Sequence, residues 1–136
     1  MNKFLYAMFG VCLSCSAHAV PAVVDYVIDG DTFAATVKIE EDIGVPIHVR
    51  IINIDTPELK GSCVFEIDKA NIAKDALSAL LPSGVTVDLQ NVKDDKFLGR
   101  IDASVILPDG RDVGEIMIQA NLARPYSGGK RQGWCD

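Results

Sequence analysis

Four short groups of residues carry the side chains that could perform chemistry in this chain. They are Asp29–Thr32, Val49–Glu58, Lys96–Arg100, and the C-terminal segments Arg124–Tyr126 and Lys130–Arg131. Their carboxylates could bind a metal ion or accept a proton, and their guanidinium groups could bind phosphate oxygens bidentately. Whether the four groups meet depends on the strands and helices that connect them.

Asp31 and Asp55 are carboxylates that we expect at strand ends, where loops leave the sheet. Ca²⁺ prefers such hard oxygen donors, together with backbone carbonyls and water. An aspartate at a turn also has an ordinary structural use, because it hydrogen-bonds the local backbone. Residue type therefore leaves both a metal site and a turn role open for these two residues.

Arg50 lies in the middle of an apolar, strand-forming run, where a guanidinium needs an anionic partner. A phosphate matches its planar fork, and a carboxylate of this acidic chain would also serve as a salt-bridge partner. Glu58 follows Pro57 just beyond Asp55, and three roles are open to it: a base, a water-positioning group or a surface charge.

Runs of alternating and β-branched residues predict the strands that would position these groups. The predicted strands span residues 23–28, 32–39, 48–54, 85–92 and 101–107. Asp29-Gly30 is a turn signal between the first two strands, and the acidic segment 40–44 is predicted to be a loop.

Two helices are predicted between and after these strands. Apolar residues recur at three- and four-residue steps over 66–81, as expected for a helix with one face on a core. Asp112 and Glu115 have capping-box spacing, which predicts a short helix ending near Asn121.

The order of these elements indicates the fold. Three strands, a helix, two strands and a short helix match the connectivity of the OB fold, a five-stranded β-barrel. The predicted class is therefore mainly β with helices (α+β), with one helix after strand 3 and a short helix after strand 5. An open α+β sheet is the structural alternative. A length of 136 residues without repeats favours a single domain.

Residues 1–19 predict a secretory signal peptide, with Lys3, an apolar run over 4–16, and Ala17-His18-Ala19 as the cleavage site. A transmembrane anchor would need about 20 apolar residues. A lipoprotein modified at Cys15 is the weaker alternative, because Leu13 is one position too close to that cysteine. We therefore expect an exported, periplasmic or secreted monomer without stable membrane association after cleavage.

Export leaves Cys63 and Cys135 in an oxidising compartment, and two cysteines there predict one disulfide bond. On the chain-entropy model, closing a loop of about 72 residues contributes roughly 4 kcal/mol to stability. Two free thiols are the alternative. Trp134 is expected to pack beside the disulfide, although stacking on a base is also open to it.

The net charge of −6 argues weakly against a nucleic-acid partner, because phosphate binders usually carry a basic excess. Charge is nevertheless uneven along the chain. If Arg50, Lys96, Arg100 and Arg124 come together, their local field can attract phosphate on a globally acidic protein.

Three motifs together resemble the staphylococcal nuclease (thermonuclease) family. They are Asp-Gly-Asp-Thr at 29–32, Arg-x-x-x-x-Asp-Thr-Pro-Glu at 50–58, and Asp-Lys-Phe-x-Gly-Arg at 95–100. The resemblance runs from about Asp25 to Tyr126 and identifies residues 20–136 as a single domain of this kind. It implies an OB barrel and a Ca²⁺-dependent phosphodiesterase that cleaves DNA and RNA and leaves 3′-phosphates.

The resemblance also implies roles for individual residues. The expected catalytic residues are Arg50, Glu58 and Arg100. The expected Ca²⁺ ligands are Asp31, Asp55 and the backbone carbonyl of Thr56. The expected substrate-binding residues are Lys96 and Tyr126, with Arg124 added from the basic cluster.

Two other functions remain open from the sequence. One is a catalytically inactive OB module that binds single-stranded nucleic acid through the same basic groove. The other is a Ca²⁺-binding domain without nuclease activity. The joint presence of Arg50, Glu58 and Arg100 favours the nuclease, because binding alone does not require this set.

Overall fold

The computed structural model describes residues 19–135, which form seven strands and two helices. In chain order they are β1 (Val20–Asp29), β2 (Thr32–Glu40), β3 (Ile43–Ile51), β4 (Ile54–Asp55), α1 (Val64–Leu80), β5 (Thr86–Asp94), β6 (Arg100–Ile106), α2 (Val113–Gln119) and β7 (Arg124–Pro125). The predicted signal peptide lies outside the described residues apart from Ala19. Between residues 19 and 135, no helix is long and apolar enough to cross a membrane.

Five strands close into a barrel in the order β1-β2-β3-β6-β5, and β1 also pairs with β5. The β3–β6 pair is parallel and the other barrel pairs are antiparallel. This is the connectivity of an OB fold. The predicted α+β class and five-stranded barrel are therefore confirmed, and the open-sheet alternative is wrong because the two edges pair.

The alternation of side chains along the strands builds the core of the barrel. In β5, Val87 and Leu89 are buried while Thr86 and Asp88 are exposed. Phe33 of β2 is fully buried in the same core. Each such side chain contributes roughly 1.5–3 kcal/mol through its removal from water.

The two predicted helices are confirmed. Helix α1 buries Ala70, Ala73 and Leu77, which belong to the predicted apolar stripe. Helix α2 begins after Asp112, whose carboxylate accepts a hydrogen bond from the Glu115 amide at 3.1 Å. That hydrogen bond satisfies one of the amides left unpaired at a helix start.

The predicted third strand is wrong at both ends. It begins at Ile43 rather than in the region of His48, so the predicted acidic loop narrows to a tight turn at 41–42. It stops at Ile51, because Asn53 adopts a left-handed conformation with φ 67°. Asparagine tolerates this conformation better than most residues. The turn directs Ile54–Asp55 away from the barrel to pair with β7.

A disulfide bond joins Cys63 and Cys135, as predicted, with a Cα–Cα distance of 6.0 Å. Residues 127–135, which we call the tail, contain no helix or strand. Cys63 lies directly before α1, so the bond returns the end of the tail to the start of that helix. Trp134, next to Cys135, is buried.

Candidate functional site

A cleft of about 560 Å³ opens where the β1–β2 turn, β3, the loop after β4 and the β5–β6 connection meet. Most of the predicted site residues line this cleft: Asp31, Arg50, Thr56, Glu58, Lys96 and Arg100. They come from four separate segments of the chain, which the barrel brings to one place. Most of the expected site is therefore one depression lined by both carboxylates and guanidinium groups.

Asp31 is held at the β1–β2 turn by short-range hydrogen bonds. Its amide donates to the Asp29 carboxylate at 3.1 Å, and its carboxylate accepts from the Thr32 hydroxyl at 2.8 Å. The turn packs closely on α1, since a Cβ on Gly30 would lie 2.9 Å from Ala73 Cβ. Burial, together with the neighbouring Asp29 carboxylate, raises the pKa of Asp31 from its ordinary value of 3.8 to about 6.

Arg50 projects from β3, whose register places it beside Thr32 on β2 and Asp102 on β6. Its Nη2 lies 3.9 Å from Asp31 Oδ2. That distance allows electrostatic attraction, but it is too long for a hydrogen bond. The guanidinium therefore faces the cleft without a tight bidentate partner in Asp31.

Arg100 is the first residue of β6, two positions before Asp102, the β6 residue that pairs with Arg50. Its Nε lies 3.0 Å from Asp95 Oδ2, but within residues 19–135 it lacks an aligned hydrogen-bond acceptor. Its Cζ lies 4.5 Å from the ring centroid of Phe97. Burial and the adjacent Asp95 carboxylate raise the pKa of Asp102 above its ordinary value. Arg100 is thus held by the charge of Asp95 and by stacking on Phe97. Its Nε can still donate a hydrogen bond.

Glu58 belongs to a loop that Glu66 ties to helix α1. The buried Glu66 carboxylate accepts hydrogen bonds from the Ser62 amide at 3.0 Å and the Glu58 amide at 3.2 Å. A Cβ on Gly61 would lie 2.5 Å from Glu66 Cγ, so only glycine fits there. The Glu58 side chain itself is 55% exposed and reaches the cleft.

Arg131 of the tail belongs to the C-terminal basic group noted in the sequence, but the sequence did not assign it a role among the site residues. Its Nε donates to Asp55 Oδ1 at 2.6 Å, its Nη2 donates to the Thr56 carbonyl at 3.3 Å, and its Nη1 forms an ion pair with Glu58. Burial alone would lower the pKa of Arg131, but its hydrogen bonds with Glu58 and Asp55 outweigh burial and raise it. The signal in the sequence is Cys135, whose disulfide brings the tail back to the site.

Asp55, a predicted metal ligand, does not line this cleft and instead lines a separate cleft of about 440 Å³. The residue is 3% exposed, and its Oδ2 accepts a hydrogen bond from Trp134 Nε1 at 3.3 Å. Its other oxygen is bound by Arg131. Both carboxylate oxygens therefore have donors from the tail, which supplies the pairing that a buried charge requires.

Arg124 and Tyr126, which were predicted to bind substrate, lie outside the main cleft. Arg124 stacks on Trp134, with its Cζ 3.7 Å from the ring centroid, and donates to the Gly133 carbonyl at 2.8 Å. Tyr126 donates to the Gly129 carbonyl at 2.6 Å and lines a second cleft of about 410 Å³. Arg50, Lys96 and Arg100 also line that second cleft. Tyr126 thus adjoins the main cleft, whereas Arg124 packs against the tail. Both residues also line the 440 Å³ cleft that contains Asp55.

The predicted Ca²⁺ ligands form a set made only of oxygen donors. No group of three or more His, Cys, Asp or Glu side chains converges on a metal position within the described part of the chain. The predicted ligands are two carboxylates and one backbone carbonyl, so water would have to complete the coordination of a Ca²⁺ ion there. Asp55 and Thr56 already bind a cation, the guanidinium of Arg131. Buried oxygen donors that bind a cation fit Ca²⁺ in their chemistry.

No protein-family profile matches this chain. Over 100 residues the chain is 32% identical to an Escherichia coli protein named "Uncharacterized endonuclease". It is 31% identical over the same length to a protein of that name from Escherichia coli O157:H7. The aligned region covers 74% of this chain and 57% of each relative, so the chain spans little more than half the length of the relatives it matches.

Proposed function

We propose that this protein is an exported, Ca²⁺-dependent nuclease of the staphylococcal nuclease type, with DNA and RNA as substrates. The observation that carries the proposal is the single cleft lined by Asp31, Arg50, Thr56, Glu58 and Arg100. Binding a phosphate would require the arginines alone, whereas hydrolysis also requires a group that handles water. The name of the two relatives supports phosphodiester cleavage.

The two arginines act on the phosphate. Hydrolysis builds negative charge on the equatorial oxygens of the phosphorus, and preorganised donors aimed at that charge lower the barrier. Arg50 and Arg100 have guanidinium groups facing the cleft, and each is held by a nearby carboxylate at 3.9 and 3.0 Å respectively. Substrate phosphate competes well with such partners, since it offers bidentate, charge-assisted hydrogen bonds.

Glu58 acts on the attacking water. Its exposed carboxylate lies at the cleft, on a loop whose backbone Glu66 holds in place. A carboxylate within hydrogen-bond reach can orient a water molecule or accept its proton. When bound, Ca²⁺ supplies positive charge that polarises the phosphoryl oxygens. Asp31, Asp55 and the Thr56 carbonyl would hold it.

The course of the reaction is the one that the resemblance to the staphylococcal nuclease family implies. Water attacks in line and the bond to the 5′ oxygen breaks, so the products carry 3′-phosphates. Lys96 contacts a second phosphate, and Tyr126 contacts a nucleotide from the adjoining cleft that it shares with the arginines. We propose endonucleolytic cleavage, which the name of the two relatives supports.

Export supports the same function. The signal peptide predicted at residues 1–19 directs the chain to the periplasm or the medium. The Cys63–Cys135 bond supports this placement, because disulfides persist in oxidising compartments. We propose that the mature protein acts there as a monomer without stable membrane association.

The proposal is tested by incubating the purified exported protein with plasmid DNA and with single-stranded RNA, in Ca²⁺ or in EGTA. Cleavage of both nucleic acids in Ca²⁺, and of neither in EGTA, is expected. A gel-shift measurement under the same conditions separates the alternative function. Binding of single strands without cleavage in Ca²⁺ would show an inactive OB module and would contradict the proposal.

A further inference from the structure

We propose that Arg131 is a cation built into the site, and that its guanidinium must leave Asp55 and Glu58 before a divalent cation binds. Arg131 thereby sets the metal affinity of the protein. The inference rests on the proposed function, because that function assigns the divalent cation to these oxygens. Its own evidence is the arrangement of the tail, which neither the sequence motifs nor the similarity to endonucleases specifies.

The first step is the identity of the oxygens that Arg131 contacts. Nε and Nη2 donate to Asp55 Oδ1 and to the Thr56 carbonyl, at 2.6 and 3.3 Å. Nη1 pairs with Glu58. Asp55 and Thr56 are two of the three proposed metal ligands, and Glu58 is the proposed water-handling group. A guanidinium and a Ca²⁺ ion cannot use the same lone pairs, and two cations at one position repel each other.

The second step is the way the tail delivers Arg131 to this position. The Cys63–Cys135 bond fixes the end of the tail, and Trp134 donates to Asp55 Oδ2 at 3.3 Å. Trp134 lies between Arg124 at 3.7 Å and Lys69 at 5.0 Å from its ring centroid. The chain is therefore anchored just after Arg131, at Trp134 and Cys135, which gives the guanidinium a high effective concentration at the carboxylates.

The third step is the freedom of the side chain to leave. The Arg131 side chain is 41% exposed, whereas that of Asp55 is 4% exposed. Rotation of the arginine side chain toward solvent frees the Asp55 oxygen and the Thr56 carbonyl while the disulfide and Trp134 stay in place. Removing the guanidinium should therefore strengthen metal binding. A merely structural role for Arg131 would have no such effect, because loosening the tail would weaken the site.

The test is a titration of the full exported protein with Tb³⁺, a luminescent substitute for Ca²⁺, and with Ca²⁺ by calorimetry. Trp134 is the one tryptophan of the sequence and hydrogen-bonds Asp55, so it should sensitise Tb³⁺ bound there. Wild type is compared with Arg131→Gln, Arg131→Lys and Lys130→Gln. Lys130→Gln is the matched control: it removes the same charge from the neighbouring residue, and within residues 19–135 Lys130 forms no ion pair.

We expect Arg131→Gln to lower the dissociation constant for both ions by about tenfold or more, because charge-assisted hydrogen bonds no longer oppose binding. Lys130→Gln should change it by less than about threefold, since exposed charges are screened by salt. Arg131→Lys keeps the positive charge but lacks the planar guanidinium. Its dissociation constant should lie between those of wild type and Arg131→Gln.

Two outcomes would overturn the inference, and they differ in what else they overturn. Equal or weaker binding by folded Arg131→Gln and Arg131→Lys, with measurable binding by wild type, contradicts the competition but leaves the proposed function standing. Absence of Ca²⁺ and Tb³⁺ binding in wild type and in all variants contradicts both the competition and the proposed metal dependence.

Discussion

Arg131 and Asp55 form a hydrogen bond of 2.6 Å across 76 positions of the sequence. Asp55 is in β4, which pairs with β7 just before the tail, and the tail ends in a disulfide at the start of α1. The two connections enclose the tail and place its arginine over the buried aspartate. The tail is therefore part of the site and not an appendage to the barrel.

Replacing either arginine of the cleft by alanine should reduce hydrolysis by about 10²–10³-fold, because each supplies donors to charge that develops in the transition state. The measurement is the initial rate of cleavage for Arg50→Ala and Arg100→Ala. The control is Lys38→Ala, which removes an exposed positive charge from β2 outside both clefts. Wild-type rates in both arginine variants with an intact barrel by circular dichroism would refute these roles.

Asp31→Asn should stabilise the metal-free protein at pH 7. Burial and Asp29 raise the pKa of Asp31 from 3.8 to about 6 in the folded state, so the folded protein binds this proton more tightly than the unfolded chain. The free energy of unfolding then falls as the pH rises from about 4 to about 6, and it stays at the lower value above pH 6. Removing the ionisable group should restore roughly 1–3 kcal/mol at pH 7.

The measurement for Asp31→Asn is urea unfolding without metal at pH 4 and pH 7. Stabilisation should be present at pH 7 and nearly absent at pH 4. Asp88→Asn, at an exposed position of β5, is the control. It should leave the free energy of unfolding unchanged at pH 4 and at pH 7. Equal effects of Asp31→Asn at both pH values would show that ionisation of Asp31 is not the cause.

Cys135→Ser should lower the free energy of unfolding by up to about 4 kcal/mol, because the disulfide restricts the unfolded chain. This variant is cleaner than Cys63→Ser, since the Cys63 sulfur also accepts a hydrogen bond from the Glu66 amide at the start of α1. Urea unfolding of oxidised wild type, reduced wild type and Cys135→Ser is the measurement. Reduced wild type and Cys135→Ser should have the same free energy of unfolding. A Cys135→Ser variant as stable as oxidised wild type would show that the disulfide adds no stability.

Glu66→Gln should lower kcat with little change in KM. The amide keeps one acceptor oxygen but turns an NH₂ group toward a backbone amide of the loop that carries Glu58, so the loop loses one of its two anchors. We expect a loss of about tenfold in kcat. Asp68→Asn, the same change at an exposed position of α1, is the control. A change in KM alone would contradict this positioning role.

Local patterns were sufficient to predict the barrel, whereas the site residues were predicted from the resemblance of three motifs to a known family. The alternation that buries Val87 and Leu89, and the helical spacing of Ala70, Ala73 and Leu77, follow directly from the periodicity of each element. The motifs around Asp31, Arg50, Glu58 and Arg100 come together in one cleft because they adjoin those elements.

The remaining features depend on contacts between distant residues. The β4–β7 pair has two residues in each strand, which is too short for a periodic signal. The break after Ile51 requires a left-handed Asn53, which residue type permits but does not demand. The stacking of Arg124 on Trp134 and the pairing of Arg131 with Asp55 arise only once the disulfide and β7 have placed the tail.

The central claim is that this cleft hydrolyses phosphodiester bonds by attack of water at phosphorus, with the 5′ oxygen as the leaving group. The most direct measurement is cleavage of a defined oligonucleotide by the purified exported protein in Ca²⁺, with the product ends identified by mass spectrometry. The predicted result is internal cleavage that leaves 3′-phosphate and 5′-hydroxyl ends, and that is lost in EGTA. Products with 5′-phosphate ends, or an oligonucleotide left intact in saturating Ca²⁺, would contradict the account.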